Sequence, residues 1–346
     1  MKIMKVTDAV GQVLCHDITQ IIVGEKKGPV FKKGHIIREE DIPVLLSVGK
    51  ENVYVWENNE NMLHENEAAD ILRQICQGEG MHPTEVSEGK IELISDIDGL
   101  LKVNSEKLQA VNSLGEMMIA SRHGNFPVHK GDKLAGTRII PLVIEKEKML
   151  RAREAAGSEP LLTVMPFTKK TAGIITTGSE VYHGRIQDTF TPVLEKKLAH
   201  YQVKVIAHDV CDDNHEMITG AIFDQIEKGA ELVLCTGGMS VDPDDRTPLA
   251  IKNTGAEIIS YGAPVLPGAM FLLSYFKGSK GTIPVAGLPG CVMYAKRTIF
   301  DLILPRLLAE DKVSARDLAM LGEGGLCLNC PVCIFPNCGF GKGAGR

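Results

Sequence analysis

The sequence lacks the two features that would direct a protein to or across a membrane. No apolar run approaches the roughly 20 residues that a membrane-spanning helix needs. Lys2 and Lys5 lead straight into Thr7 and Asp8, without the apolar segment and small-residue cleavage site of a signal peptide. We therefore expect a cytoplasmic protein with no membrane partner.

An excess of positive charge is also absent. The chain of 346 residues has a formal net charge of −6, and no basic segment stands out. Proteins that bind nucleic acid neutralise its phosphates with a basic face, so no nucleic-acid partner is expected. With 44% hydrophobic and 24% charged residues, the composition is that of a globular protein long enough for two or three domains with real cores.

The pattern along the chain predicts three domains and a tail. Residues 1–57 are predicted to form a small β-rich domain with one helix, and residues 58–160 a linker and a mixed α+β domain. Residues 161–312 alternate apolar runs with helix signals, which predicts an α/β domain. Residues 313–346 are a cysteine-rich tail, of which 339–346 are expected to be disordered.

The α/β domain is predicted to have three layers around a mostly parallel sheet. Strands are expected at 172–177, 203–210, 231–235, 257–261, 270–276 and 282–286, and helices at 192–201, 216–228, 248–254 and 290–308. The runs 172–177 and 231–235 lack the alternation of a half-exposed strand, so they are predicted to be buried on both faces. The loops after them end in Thr-Pro, which suits the first turn of a helix.

Glycine-bearing loops follow three of the predicted strands. The candidate binding residues are Thr177, Gly178, Ser179 and Glu180 in the first loop, Gly237, Gly238, Ser240 and Asp242 in the second, and Pro289 and Gly290 in the third. Open α/β sheets bind ligands at the carboxyl ends of their strands, where amides at helix N-termini favour phosphate. Any one loop has the alternative that glycine only closes a tight turn. Three such loops in one series favour a phosphate-binding edge.

Acidic residues accompany these loops. They are Asp188 after the first loop, and Asp242, Asp244 and Asp245 in the second. Carboxylates alone would repel a phosphate, but they suit the site if a hard cation bridges carboxylate and phosphate oxygens. We therefore predict a Mg²⁺ site at Asp242, Asp244 and Asp245, with a solvated charged surface as the alternative.

A series of short motifs runs through this half of the chain in a fixed order. The motifs are Thr177-Gly178-Ser179-Glu180, Gly184 with Asp188, Asp212-Asp213, Gly237-Gly238-Met239-Ser240 with Asp245, Pro267-Gly268 and Gly287-Leu288-Pro289-Gly290. Over residues 172–308 the series resembles the molybdopterin-binding fold of the molybdopterin molybdotransferases, relatives of the enzymatic domain of gephyrin. The resemblance implies that the pterin phosphate sits on these loops and adds Pro267 and Gly268 to the site. It also implies that Asp188 and Asp245 serve pterin or Mg²⁺ binding and molybdate-linked catalysis.

The resemblance implies a function in molybdenum cofactor biosynthesis, the insertion of molybdate into adenylated molybdopterin by a homodimer, with ATP or AMP as a further ligand. The family's N-terminal aromatic motif has no counterpart in residues 1–60, and Cys291 stands where the family commonly has asparagine. These departures support pterin binding more strongly than molybdate insertion. Residues 242–247 also resemble the competence-damage-inducible proteins, which implies a Mg²⁺-dependent nucleotide pyrophosphatase. A non-catalytic carrier or sensor of the cofactor is the third interpretation.

The nine cysteines do not suggest a secreted disulfide framework, because their number is odd and four of them crowd the tail. Those four are Cys327, Cys330, Cys333 and Cys338. Their spacing is close to that of the bacterial ferredoxin motif, with one extra residue and no final proline. Four thiolates also suit Zn²⁺. We predict a metal site here and favour an iron–sulfur cluster over zinc, with a flexible reactive tail as the alternative.

Overall fold

The computed structural model describes residues 2–22, 26–55, 60–279 and 281–343. They divide into two compact units. The first unit holds the described residues of Met1–Ile94, Glu106–Arg122 and Lys133–Leu161, and the second those of Ser95–Ser105, His123–Asp132 and Leu162–Arg346. Each unit is therefore assembled from separate stretches of the chain, and the predicted boundaries at 57, 160 and 312 stay predictions.

The first unit consists of small antiparallel sheets and four helices. Two-stranded sheets are formed by Lys2–Lys5 with Asn52–Val55, Ile18–Ile22 with Lys26–Phe31, and Met62–His64 with Val143–Glu145. A four-stranded sheet has the order Met81–Pro83, Lys90–Ser95, Lys133–Ile139, Met117–Ser121. The helices are Ile42–Ser47, Glu65–Cys76, Ser105–Asn112 and Lys146–Ala156, and short 3-10 turns lie at Val6–Asp8 and Glu39–Asp41.

The second unit combines a small antiparallel sheet with a larger mixed sheet. The small sheet has the order Phe126–Val128, Gly99–Val103, Leu162–Pro166. In the larger sheet we number the strands β1 (Thr171–Thr177), β2 (Lys204–Cys211), β3 (Val233–Thr236), β4 (Glu257–Tyr261), β5 (Leu272–Gly278) and β6 (Gly281–Leu288). The accompanying helices are α1 (Ser179–Tyr182), α2 (Thr191–Ala199), α3 (His215–Glu227), α4 (Thr247–Asn253), α5 (Ile299–Leu308) and α6 (Ala315–Met320).

The larger sheet has the strand order β2-β1-β3-β6-β5-β4. Strands β2, β1, β3 and β6 are parallel, whereas β5 runs antiparallel to both of its neighbours. Successive residues of β1 enter different cores: Ile174 packs with Leu194 of α2, and Ile175 packs with Ile222 of α3. Helices thus cover both faces of the sheet. This confirms the predicted α/β fold with a mostly parallel sheet.

Burial explains why β1 and β3 form central strands. All four residues of β3 are buried, and in β1 only the first residue, Thr171, is partly exposed. A strand covered on both faces needs apolar or hydrogen-bonded side chains throughout, which the β-branched runs of these two strands supply. Helix α3 begins where the Asn214 side chain accepts hydrogen bonds from the amides of Glu216 and Met217.

Two sequence-based expectations in this unit were wrong. The long helix predicted over 290–308 is divided into a 3-10 turn, Gly290–Met293, and helix α5. Thr298 is extended, and its side chain caps the amide of Phe300 while Asp301 caps the amide of Thr298. This capping box restarts the helix and so explains the interruption.

The second error concerns the predicted disorder of residues 339–346. Residues 344–346 lie outside the described residues, but Phe340 is only 4% exposed and belongs to the same core as α5. Its burial fixes this part of the tail on the second unit. Within the described ranges, no helix has the length and apolar character that crossing a membrane requires.

Candidate functional site

Three neighbouring strands end level with one another. The register pairs Thr176 of β1 with Thr236 of β3, and Thr236 with Leu288 of β6. Since these strands are parallel, the loops that follow them leave the same edge of the sheet side by side. We call this edge the loop edge. The structure therefore brings together the three glycine-bearing loops that the sequence places far apart.

The Pro267–Gly268 segment reaches the loop edge from the opposite direction. It precedes β5, whose first residue, Leu272, pairs with Gly287 near the end of β6. The carbonyl of Pro267 accepts a hydrogen bond from the amide of Ile299, the first residue of α5. A side chain at Gly268 would meet Ile299. Glycine is therefore required where this segment packs against α5.

The first loop begins with a glycine in a conformation that favours this residue. Gly178 has φ +139° and precedes the short helix α1, in which Glu180 is exposed. The amide of Ser179 donates a 2.9 Å hydrogen bond to the Asp213 carboxylate, which follows β2. The loop edge thus extends to the end of β2. The amide of Ser179, which the sequence assigns to a ligand, already donates a hydrogen bond to Asp213.

Asp188 is held by the loop in which it lies. One carboxylate oxygen accepts from the amides of Phe190 and Thr191, at 2.8 and 3.1 Å, and the other accepts from the Thr176 hydroxyl at 3.0 Å. The His208 ring nitrogen lies 3.4 Å away. Burial acts to raise the pKa of Asp188, but the hydrogen bonds from Thr191, Phe190 and Thr176 outweigh it and lower the pKa below its usual value. The carboxylate thus accepts hydrogen bonds from the two amides at the start of α2.

The second loop is closed by two glycines with positive φ, +82° at Gly237 and +56° at Gly238. A side chain at Gly237 would overlap the carbonyl oxygen of Thr177, and one at Gly238 would lie 2.8 Å from the Thr247 hydroxyl. The Thr177 hydroxyl donates to the carbonyl of Thr236 at 2.9 Å, and its oxygen lies 3.1 Å from the hydroxyl oxygen of Thr247. These contacts fix the first and second loops to each other.

The backbone amides of Gly238 and of the two residues after it are candidate donors to a ligand. Within the described residues, the amides of Gly238, Met239 and Ser240 donate no hydrogen bond. The carbonyls of Met239 and Ser240, by contrast, accept from the Tyr261 hydroxyl at 2.8 and 3.2 Å. Successive amides beside a residue with positive φ form a concave anion-binding arrangement. The second loop therefore has the polarity that a phosphate group requires.

The acidic residues of the second loop differ in exposure. Asp242 and Asp244 are exposed, whereas Asp245 is half-buried and accepts a 3.2 Å hydrogen bond from the amide of Asp242. Burial, Glu180, Asp212 and Asp244 together raise the pKa of Asp213, although the amide of Ser179 opposes this. The carboxylates of both loops and of the end of β2 therefore share one negative region.

The structure does not assemble either predicted metal site. Among the residues it describes, no three His, Cys, Asp or Glu side chains are placed where they could hold a metal ion. Asp242 and Asp244 point into solvent at the loop edge. In the tail, Cys330 and Cys333 are exposed while Cys327 and Cys338 are half-buried against the core of the second unit. Magnesium, zinc and iron–sulfur ligation therefore find no support in a preformed group of ligands.

The third loop is the simplest of the three. Pro289 is buried and Gly290 is exposed at the start of the 3-10 turn, in which the amide of Val292 donates to the carbonyl of Pro289.

The sequence did not assign several polar residues that build the site to ligand binding. They are Thr176, Thr191, His208, Asp213 and Tyr261. Two of them carried a signal, Asp213 in the Asp212-Asp213 motif and Thr191 in the Thr-Pro helix start.

Comparison with known families agrees with this geometry. Residues 173–309 match the family described as "Probable molybdopterin binding domain". Residues 3–57 match a domain of unknown function, DUF8806. The α/β part of the chain therefore has the molybdopterin-binding fold, and the resemblance predicted from its motifs is confirmed.

Individual relatives match shorter stretches. A putative competence-damage inducible protein of Bacillus cereus is 33% identical over 106 residues, which are 31% of this chain and 25% of the relative. A molybdopterin molybdenumtransferase of Synechococcus elongatus is 28% identical over 185 residues, which are 50% of this chain and 42% of the relative. The chain thus spans less than half the length of either relative.

Solved structures with a similar fold include the tungsten cofactor synthesizing protein MoaB of Pyrococcus furiosus. It is 19% identical, the match covers 42% of this chain and 90% of that one, and the TM-score is 0.32.

Proposed function

We propose that this protein binds molybdopterin at the loop edge and acts in molybdenum cofactor biosynthesis. The observation that carries the proposal is the level ending of β1, β3 and β6, which places the three loops side by side. The family match over residues 173–309 and the molybdopterin molybdenumtransferase among the relatives support it. Ligands of open α/β sheets bind in this position.

The phosphate of the pterin would be bound by the second loop. The amides of Gly238, Met239 and Ser240 supply donors, while Asp242 and Asp244 supply negative charge at the same edge. Mg²⁺ usually keeps several waters and is bound by one or two carboxylates together with substrate phosphates. The exposed carboxylates of Asp242 and Asp244, with Asp245 behind them, would therefore hold the cation only when the phosphate is present.

The proposed reaction is the insertion of molybdate into adenylated molybdopterin by a homodimer. Insertion forms two Mo–S bonds, and the two thiol protons of the pterin leave with one molybdate oxygen as water. Cleavage of the bond between the pterin phosphate and AMP consumes one water and releases AMP. The protein's part is to position the phosphates and to neutralise charge, because phosphoryl chemistry needs little covalent help. Asp242, Asp244 and Asp245 would hold the cation, which would neutralise charge on the phosphates, and Asp188 would position the first turn of α2.

The test is AMP release from adenylated molybdopterin in the presence of Mg²⁺, with and without molybdate. We expect AMP release that requires molybdate and is lost in Asp245→Ala. Asp224→Ala is the matched control, because Asp224 is an exposed carboxylate on α3 outside the loop edge. Full activity of Asp245→Ala would remove this residue from the site.

A pyrophosphatase is the second candidate, favoured by the 33% identical relative named as a putative competence-damage inducible protein. Here Asp242, Asp244 and Asp245 would hold the metal that polarises a diphosphate. Turnover of ADP-ribose that is independent of molybdate would support this function and contradict molybdate insertion. Binding of molybdopterin without any turnover would instead support a cofactor carrier or sensor.

A further inference from the structure

The cysteine tail folds back onto the second unit. The amide of Leu266 donates to the carbonyl of Gly325, and the amide of Cys327 donates to the carbonyl of Leu266, both at 2.8 Å. Phe340 is buried beside α5, and a side chain at Gly341 would collide with Leu302. The tail is therefore anchored at both ends, next to the Pro267–Gly268 segment of the loop edge.

Between these two anchors lies a cavity of about 250 Å³. All four tail cysteines line it, together with Lys296 and Arg297. The rest of the lining is largely apolar. The volume is large compared with the roughly 30 Å³ that one water molecule occupies in the liquid. Four thiols that lie up to eleven positions apart in sequence thus face one common space.

The motif separates two kinds of metal centre. The spacing of the four cysteines is close to that of the bacterial ferredoxin motif, which favours an iron–sulfur cluster over zinc. A four-iron cluster holds its thiolates around a body that itself fills space, and the cavity that all four cysteines line supplies that space. No three metal-binding side chains in the described ranges are placed around a single ion, so the exposed Cys330 and Cys333 would move toward the cluster as it binds.

Charge around the cavity favours the same occupant. A [4Fe–4S] core with four thiolates is an anion, and hydrogen bonds and charge around it set its properties. Lys296 donates to the carbonyls of Cys330 and Pro331, at 3.1 and 3.0 Å. The Arg297 guanidinium lies 4.8 Å from the centre of the Phe335 ring. Two cations are thus fixed at the wall, where Arg297 also forms a 2.9 Å ion pair with Asp301, and no carboxylate lines the described part of the cavity.

We infer that this cavity is the binding site of a [4Fe–4S] cluster ligated by Cys327, Cys330, Cys333 and Cys338. The cluster would arrive preassembled on a carrier protein. In the transfer, four thiols lose their protons, each resulting thiolate forms one bond to iron, and each bond between iron and a ligand of the carrier breaks. The inference uses none of the contacts that support pterin binding, so either can fail without the other.

The test is the metal content of the full chain produced and purified without oxygen. We expect about four iron and four acid-labile sulfide atoms per chain, a broad visible absorption that dithionite bleaches, and an electron paramagnetic resonance signal after reduction. Zinc in place of iron, two irons per chain, or no metal would each overturn the inference.

Variants show whether the tail is the ligand set. The double variant Cys330→Ser, Cys333→Ser changes two exposed residues, and we expect its iron content to fall below about one atom per chain while its circular dichroism is unchanged. Cys291→Ser is the matched control, because Cys291 is half-buried and does not line the cavity. Wild-type iron and sulfide in the double variant would overturn the inference.

Discussion

The loops that follow β1 and β3 leave the sheet side by side, yet they use their carboxylates in opposite ways. In the first loop, the Asp188 side chain is only 16% exposed and accepts hydrogen bonds from two amides and one hydroxyl. In the second loop, Asp242 and Asp244 are exposed, and the amides of Gly238, Met239 and Ser240 lack partners among the described residues.

The difference shows that one loop stabilises the edge while the other has free groups for binding a ligand. A carboxylate whose oxygens already accept three hydrogen bonds has little capacity left for a cation, whereas exposed carboxylates beside unpaired amides have both charge and donors to offer. The first loop therefore holds the shape of the edge, and the second supplies most of the groups that would contact a phosphate. The contact between Thr177 and Thr247 connects the two loops.

The largest expected effect comes from the glycine that lets the loops approach each other. Gly237→Ala must keep φ near +82° and also overlaps the carbonyl oxygen of Thr177. We expect a loss of about 3 kcal/mol in the free energy of unfolding, because both backbone strain and a steric clash arise. Urea denaturation measures it.

Gly184→Ala is the control for that substitution. Gly184 has φ +69°, but nothing lies within 4 Å of the added carbon. We expect the free energy of unfolding of Gly184→Ala to fall by only about 1 kcal/mol, from backbone strain alone. Equal losses for the two variants would show that the close approach of the loops contributes nothing.

A smaller effect is expected from the carboxylates themselves. Asp188→Ala leaves the amides of Phe190 and Thr191 without their acceptor, which we expect to lower the free energy of unfolding by about 2 kcal/mol. Asp188→Asn keeps an acceptor, so its free energy of unfolding should fall by less. Asp245→Ala removes one long hydrogen bond near an exposed residue and should stay within about 0.5 kcal/mol of wild type. Greater destabilisation by Asp245→Ala than by Asp188→Ala would reverse the roles of the two loops.

The fold of the α/β part was predictable because its strands are locally marked. Apolar β-branched runs, Gly-bearing loops and Thr-Pro helix starts occur in series, and each signal lies within a few residues. Helix α5 was misplaced because its capping box at Thr298 competes with the apolar run before it. The buried position of Phe340 was missed because its partners, such as Leu302, lie far away in sequence.

The site was predictable in its loops but not in its hydrogen bonds. Glycines and prolines mark the loops, and parallel strands place their ends together, so the grouping follows from topology. Which oxygen meets which donor depends on tertiary distances. Thr176 and Asp188 lie 12 residues apart, and Ser179 and Asp213 lie 34 apart. A single sequence therefore did not show the hydrogen bonds that Asp188 accepts, and its catalytic role stays a prediction.

The smallest expected effect concerns Asp213, whose carboxylate joins the first loop to the negative region of the second. Burial and its acidic neighbours raise its pKa, so the folded state holds its proton more tightly than the unfolded chain does. The stability that this proton provides is complete below the unfolded pKa of about 3.9 and is lost as the pH rises through the folded value. Asp213→Asn keeps an acceptor for the amide of Ser179 and removes the repulsion. We expect it to be more stable than wild type by a few tenths of a kcal/mol at pH 7, and this difference should vanish near pH 3. Urea denaturation at both pH values measures it, and a variant less stable than wild type at pH 7 would show that the carboxylate is stabilising in this position.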